Sequence, residues 1–375
     1  MIETRTILKI IPVHIYTSHE NDDTTVHIGD EFDSLIHTLG GKIVGRCMQK
    51  LNTPNNATYI GRGKVDEIGE IALQNDANVV VLDAVIKPSQ IHNIKLILEQ
   101  SSLGIEVWDR VDLILHIFEK NAATMEAKLQ IQLARMNYMG PRIYGMGHVL
   151  SRQGGGIGTT GIGETNTELM KRHWRQEKKK ITDQLEKIEK NRMSQLDRRK
   201  KTGLKTVSIV GYTNAGKSTL FNTLTGRNNL EKNELFATLD SAVSKMYLSE
   251  ITSEVLVSDT IGFIRNLPPL LISAFKSTLL ESVHADVILH VIDVTDLEMT
   301  EKIQIVREIL EELGITMDHV LYVFNKVDAT QVHTKDLEDR YASFNPTFIS
   351  AKSGQNISIL KSIISKKLSQ GNMHE

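Results

Sequence analysis

The sequence predicts an α/β chain in three parts: a small parallel α/β domain over residues 1–110, a long helical hairpin over 111–203, and a C-terminal P-loop domain over 204–375. In the first part, short β-branched runs alternate with helical stretches. In the second, a glycine-rich loop separates two long segments free of glycine and proline. The third opens with a strand, a glycine-lysine-serine loop and a helix. Alternation of strand and helix implies right-handed crossovers onto a mainly parallel sheet.

Ile7 to Ile15, rich in β-branched residues, reads as a strand, and Asp30 to Leu39 as a helix ending at Gly40-Gly41, where glycine takes a left-handed cap. Lys42 to Arg46 is a short strand, Val65 to Asn75 a helix, and Asn78 to Leu82 a buried strand. Ser89 to Glu99 is a helix behind Pro88, and Ile105 to Trp108 a further strand. Val111 to Tyr138 is expected as one long helix, with Leu129, Leu133 and Met136 at helical spacing. Six of the ten residues from Gly154 to Gly163 are glycine, so Gly154 to Glu164 reads as a loop. Asn166 to Lys200 is the second long helix, with a thin apolar stripe of Ile181, Leu185, Ile188 and Met193.

Composition sets broad bounds. The 375 residues are 40% hydrophobic and 24% charged, with a formal net charge of -2, so the chain as a whole makes no electrostatic statement. One cysteine, Cys47, rules out an internal disulfide framework and suits a reducing compartment. No basic-then-apolar leader opens the sequence, and apolar runs such as Val79 to Leu82 are too short to span a bilayer. The expectation is a cytoplasmic chain without an integral membrane segment, peripheral to membranes in part. The second long helix stands apart: Lys171 to Lys205 holds 14 Lys or Arg against five Asp or Glu, a local balance of about +9. It is either the solvated face of an exposed helix or a basic arm that meets RNA, with His173 and Trp174 available for stacking.

The chemistry is concentrated in the last part. Thr206 to Val210 is a strand, followed by Gly211-Tyr212-Thr213-Asn214-Ala215-Gly216-Lys217-Ser218 and a helix from Thr219 to Thr225. The glycines let backbone N–H groups converge on phosphates, and the helix N-terminus adds a favourable dipole. Lys217 is the contact for the β- and γ-phosphates, and Ser218 a ligand for Mg²⁺. Val255 to Asp259 is a second strand; Asp259-Thr260-Ile261-Gly262 supplies an acid near the metal and a glycine whose N–H meets the γ-phosphate. Between these motifs lies Phe236-Ala237-Thr238-Leu239-Asp240, where Thr238 is the candidate switch threonine for Mg²⁺ and the γ-phosphate. Thr223 and Thr225 compete with it by residue type but lie on the helix after the loop.

Val320 to Phe324 leads into Asn325-Lys326-Val327-Asp328. A carboxylate at Asp328 can accept two hydrogen bonds, from guanine N1–H and the 2-amino group. Adenine offers no such donor pair, so the motif selects GTP over ATP. Asn325 would brace the loops and the Lys326 stem would cover the base. Ser350-Ala351-Lys352, after the strand Thr347 to Ile349, supplies the last base contact through a backbone N–H. The third part therefore reads as a GTPase domain, with Lys217, Thr238 and Gly262 as its catalytic residues.

Two details bear on catalysis. Many small GTPases place a glutamine after the switch glycine to orient water; here stands Phe263, which cannot, so hydrolysis must use another group, a partner or water ordered by the switch backbone, and slow intrinsic turnover with acceleration by a partner is expected. In some GTPases an asparagine at the position of Asn214 binds K⁺ in place of an arginine finger; a plain structural asparagine is the alternative reading.

These motifs (GYTNAGKS, FATLD, DTIGF, NKVD and SAKSG) resemble the HflX family of the Obg–HflX GTPase group. The N-terminal half resembles it too, at Tyr59 to Ile68, Pro88-Ser-Gln90, Asp109 to Leu115, Glu126 to Gln130 and the glycine-rich loop. The resemblance spans nearly the whole chain. It implies GTP/GDP and Mg²⁺ as ligands, and association with the large ribosomal subunit and its RNA, the N-terminal domain and hairpin reaching toward the peptidyl-transferase region. It further implies splitting or rescue of stalled or stressed ribosomes, and in some members ATP hydrolysis by the N-terminal part. A monomer that does not bind DNA is expected. The chain departs from the family pattern at His116, Asn121, Ile162 and Met170 to His173, and one helix, Ile357 to Lys367, is expected after the last motif. Other readings are a GTP-regulated RNA-binding or remodelling protein and a GTPase of tRNA modification.

Overall fold

The computed structural model describes residues 7–16, 22–100, 104–153, 162–227, 235–236, 242–260, 262–265, 268, 271, 281–329 and 334–370. Contacts gather the chain into two compact units, Met1–Lys120 with Ile131–Thr182, and Asn121–Gln130 with Asp183–Glu375.

The first unit holds strands β1 (Lys9–Tyr16), β2 (Lys42–Ile43), β3 (Cys47–Lys50), β4 (Val79–Leu82) and β5 (Glu106–Asp109). All pairings are parallel: β4 flanks β1 on one side and β5 follows it, while β2 and β3 share the other side of β1. Helices α1 (Asp22–Leu39), α2 (Arg62–Gln74) and α3 (Pro88–Glu99) connect them, and α4 (Arg110–Asn121) follows β5. Ile11, Val13, Val80 and Leu82 pack with Val65, Ile68, Ile94 and Leu98 into one core. The strand expected over Lys42 to Arg46 covers only Lys42–Ile43, and a strand not expected from the sequence, Cys47–Lys50, follows it. They part at Gly45, where a Cβ would lie 2.8 Å from Ile71, so the chain steps past α2 before pairing resumes at Cys47 opposite Val13. Near the carboxyl ends of β4 and β5, the buried Arg110 guanidinium bridges Asp83 at 2.5 Å and Glu31 at 2.7 Å.

The one long helix expected over Val111 to Tyr138 is two, α4 and α5 (Met125–Gln153). The break comes at Thr124, whose hydroxyl accepts the Ala127 N–H at 3.1 Å and so caps α5. Helix α5 runs on through Gly140-Pro141 to Gln153, and α6 (Ile162–Lys201) is 40 residues long. Ile162 to Glu164, expected in the glycine-rich loop, belong to α6; Gly154 to Gly161 lie outside the described residues.

The second unit centres on a six-stranded sheet of β6 (Thr206–Gly211), β7 (Ala242–Leu248), β8 (Ser253–Asp259), β9 (Val287–Asp293), β10 (Val320–Asn325) and β11 (Thr347–Phe348), in the order β11-β10-β9-β6-β8-β7. Every pairing is parallel except the edge hairpin β7–β8. Helices α7 (Lys217–Thr225), α8 (Met299–Glu312), α9 (Thr334–Arg340) and α10 (Ile357–Gln370) are the described helices along this sheet's segment. Leu220 and Phe221 of α7 and Leu360 and Ile364 of α10 pack with Val207, Ile209, Val257 and Leu289. In an open parallel sheet the loops at the carboxyl ends of the strands form the ligand crevice. Here the loops after β6, β8, β10 and β11 are the four that carry the sequence motifs.

Candidate functional site

Strand β6 ends at Gly211, and the loop Tyr212 to Gly216 turns the chain into α7. Gly216 takes φ +91 at the N-cap, and a Cβ there would lie 2.3 Å from the Asn325 Nδ2. Asn325, 2% exposed, joins three motifs. Its Nδ2 donates to the Ala215 carbonyl at 2.9 Å, and its Oδ1 accepts the Ala351 N–H at 2.9 Å. Thr223, on α7, adds a second tie, donating to the Ala351 carbonyl at 2.8 Å. Gly216→Ala is therefore expected to abolish detectable nucleotide binding, measured by equilibrium titration of GDP, because it strains the loop and displaces Asn325 together.

Asp259 ends β8 beside α7, and the Ser218 hydroxyl donates to its carboxylate at 2.7 Å. Thr260 is buried and donates to the Ile209 carbonyl. At Gly262 a Cβ would lie 2.7 Å from Thr213 Cγ2 and 2.9 Å from Lys217 Nζ, so this glycine sits directly against the phosphate loop. Phe263 bridges back to Tyr212: its N–H donates to Gly211 and its carbonyl accepts from Thr213. The phenyl ring is 1% exposed, so the side chain after Gly262 belongs to the core. Lys326 takes φ +69 and pairs with Asp293 at 2.6 Å, while Asp328 stands exposed after it. Ser350 is buried and Lys352 exposed. Asn214 is exposed at φ +62.

Thus the residues from Gly211 to Ser218, Asp259, Thr260, Gly262, Asn325, Lys326, Val327, Asp328, Ser350, Ala351 and Lys352 lie along one end of the second unit's sheet. Phe236 is described and buried; its carbonyl accepts from Asn121 Nδ2 at 3.0 Å. Ala237, Thr238, Leu239, Asp240 and Ile261 lie outside the described residues. Sequence reasoning missed Thr223 as a tie, Asp293 as the partner of Lys326, and His290 behind the phosphate loop. The charged pair had no local signal, because its members are far apart in the chain.

Comparison with known proteins fits this geometry. Residues 206–326 match the family described as 50S ribosome-binding GTPase, residues 28–119 the GTP-binding GTPase N-terminal region, and residues 121–199 its middle region. The GTPase HflX of Caldanaerobacter subterraneus subsp. tengcongensis is 43% identical over 324 residues, 86% of this chain and 73% of that protein. The Escherichia coli K12 GTPase HflX is 36% identical over 358 residues, 95% of this chain and 82% of that one. The chain belongs to the HflX family of GTPases. A GTP-binding protein from the hyperthermophilic archaeon Sulfolobus solfataricus, in complex with GDP, superposes with a TM-score of 0.50 at 25% identity, covering 96% of this chain and 99% of that one.

As an HflX-family member the chain binds guanine nucleotide and hydrolyses GTP, and its phosphate loop is electrostatically prepared for that ligand. Lys217 Nζ donates to the Tyr212 carbonyl at 2.7 Å inside the protein. Burial pushes its ammonium down from 10.5 to about 8, a fall that nearby Asp259 only partly offsets. A phosphate brought beside it raises that value again. Nucleotide affinity is therefore expected to be flat below pH 8 and to fall as pH rises above it, measured by GDP titration at constant ionic strength. For the nucleotide-free fold the sign is opposite. The unfolded lysine holds its proton up to about 10.5 and the folded one only to about 8, so this group's contribution to stability rises with pH between those values.

Ser218 and Asp259 offer hard oxygen donors, the type that Mg²⁺ takes alongside phosphate oxygens and water. Among the described residues no cluster of three or more His, Cys, Asp or Glu could hold a metal by itself, so a metal here would depend on the nucleotide. No described helix is long and apolar enough to cross a membrane.

Proposed function

We propose that this chain is a ribosome-directed GTPase switch, cytoplasmic and monomeric, that binds the large ribosomal subunit and its RNA in the GTP state and splits or rescues stalled or stressed ribosomes. In this reading the domains are 1–110, 111–203 and 204–375, with the hairpin as the arm that meets RNA. Lys217 contacts the β- and γ-phosphates, Gly262 reads the γ-phosphate, Asp328 reads the base, and Ala351 reaches the guanine carbonyl oxygen. Ser218 and Thr238 would hold Mg²⁺, which would neutralise charge on the phosphates.

The observation that carries the reading is the burial of Phe263. No side chain at that position can orient the hydrolytic water, which calls for a stimulus from outside the domain. The basic helix supports the choice of partner. Arg172, Arg175, Lys178, Lys179 and Lys180 are exposed on α6, and the same helix runs through Lys201 to the turn that enters β6. Cosedimentation with large ribosomal subunits is expected with a non-hydrolysable GTP analogue and to be much reduced with GDP. Binding that ignored the nucleotide would favour a constitutive RNA-binding protein instead.

Asn214 leaves two readings. Its exposed side chain suits a K⁺ ligand, while φ +62 is a turn conformation that asparagine tolerates without any ligand. Turnover in K⁺ compared with Na⁺ separates them.

A further inference from the structure

His290 occupies a central place that its neighbours fill with apolar residues. It lies on β9 between Val210 of β6 and Tyr322 of β10, and Ile288, Leu289, Val291 and Ile292 around it are buried. The imidazole itself is 1% exposed, and its ring centroid is 5.5 Å from that of Tyr322. A polar ring in such a place is costly unless its nitrogens are hydrogen-bonded. Among the described residues Nδ1 has no hydrogen-bond partner, and neither has Thr213 Oγ1 of the phosphate loop. Both residues line one cavity of about 20 Å³, walled also by Ala215, Met299 and the charged Asp293, Asp296 and Lys302. That volume is large enough for a single water. Burial, with Lys217 and Arg307 nearby, pushes the imidazole down to about 3, so the ring adds no positive charge beside the phosphate-binding lysine.

Thr213 connects this cavity to the switch. Its N–H donates to the Phe263 carbonyl at 2.7 Å, and its Cγ2 and Cα approach the space above Gly262 to 2.7 and 3.0 Å. Any shift of Thr213 therefore moves the surface against which Gly262 rests.

We propose that His290 is a positioning residue for GTP hydrolysis: across the cavity it shares with Thr213 it fixes the phosphate loop against Gly262, and so sets how Gly262 meets the γ-phosphate. This rests on the reading of Gly262 as the residue that senses that phosphate. The effect is larger on the triphosphate state than on GDP, because only the triphosphate adds the Gly262 contact to those of the phosphate loop and the base-reading loops. Leucine would fit the apolar strand and leave no nitrogen to satisfy, so stability alone does not call for histidine here.

The test uses the full chain and measures single-turnover GTP hydrolysis, affinities for GDP and a non-hydrolysable GTP analogue, and Tm. His290→Leu is expected to slow hydrolysis roughly tenfold, the scale of one lost hydrogen bond to the reacting assembly. It should lower affinity for the analogue more than affinity for GDP, so that the analogue-to-GDP ratio falls, with Tm maintained. His290→Asn, whose amide can stand near the position of Nδ1, should recover most of both. Thr213→Val should slow hydrolysis by a similar factor, and hydrolysis by the double variant should be no slower than by either single one. Wild-type turnover in His290→Leu, equal losses of GDP and analogue affinity, or additive single effects would overturn the proposal. Should His290→Leu fail to fold, Thr213→Val and His290→Asn decide it by the same criteria. Gly262→Ala separates the two levels. If it leaves the affinity ratio intact, the reading of Gly262 is wrong. If it collapses the ratio while His290→Leu does not, only the His290 proposal fails.

Discussion

Asp328→Asn is expected to lower GTP affinity by roughly a hundredfold and to move the base preference from guanine to xanthine. The carboxylate accepts from N1–H and from the 2-amino group, two hydrogen bonds to a charged acceptor worth about 1.5–3 kcal/mol each. Asparagine keeps one acceptor oxygen but presents an N–H to the 2-amino group, which is a donor–donor clash. Xanthine carries a carbonyl at that place and so restores the pair. The site favours a clean result. Asp328 is exposed, while the neighbouring Asn325 carries the loop ties. Competition binding with guanosine, xanthosine and adenosine triphosphates is the measurement. Unchanged GTP preference would remove Asp328 from the base site.

Lys217→Ala is expected to reduce GTP turnover by on the order of a hundredfold or more, the scale for losing a preorganised charge at a reacting phosphate. The nucleotide-free protein should keep its Tm. A buried ammonium pushed down to about 8 is held at a cost, and removing it relieves that cost as it removes the packing of the stem. Loss of turnover without loss of stability marks the lysine as catalytic equipment. A parallel fall in Tm and turnover would mark it as structural.

Much of this was legible in the chain because the relevant chemistry is local. The phosphate loop, the Asp259 segment and the Asn325 segment each follow a strand and can be read from a few adjacent residues. The errors have physical causes. The break between α4 and α5 was missed although Thr124 followed by Glu126 is a helix-start signal; the unbroken apolar spacing on either side outweighed it. The strand at Cys47–Lys50 is only four residues long, with apolar Met48 exposed and polar Gln49 half-buried, so it lacks the apolar-in, polar-out alternation that marks a strand. Strand β7, an antiparallel edge with Met246 and Leu248 inward and Lys245 and Tyr247 outward, is also weak in sequence. The ties that hold the site together were beyond reach. Asn325 to Ala215, Thr223 to Ala351 and Lys326 to Asp293 join residues far apart in the chain, and only the folded sheet brings them together. His290 lies in a run of apolar residues that reads simply as a buried strand; its interest comes from the cavity behind the phosphate loop.

With Phe263 in the core and unable to orient water, we propose that GTP hydrolysis by this domain is stimulated by the large ribosomal subunit. GTP turnover by the full chain, with and without purified large subunits, tests this most directly. The account requires slow turnover alone and a rise of at least tenfold on adding subunits, saturable in their concentration. Rapid turnover by the isolated protein, unchanged by large subunits, would contradict it.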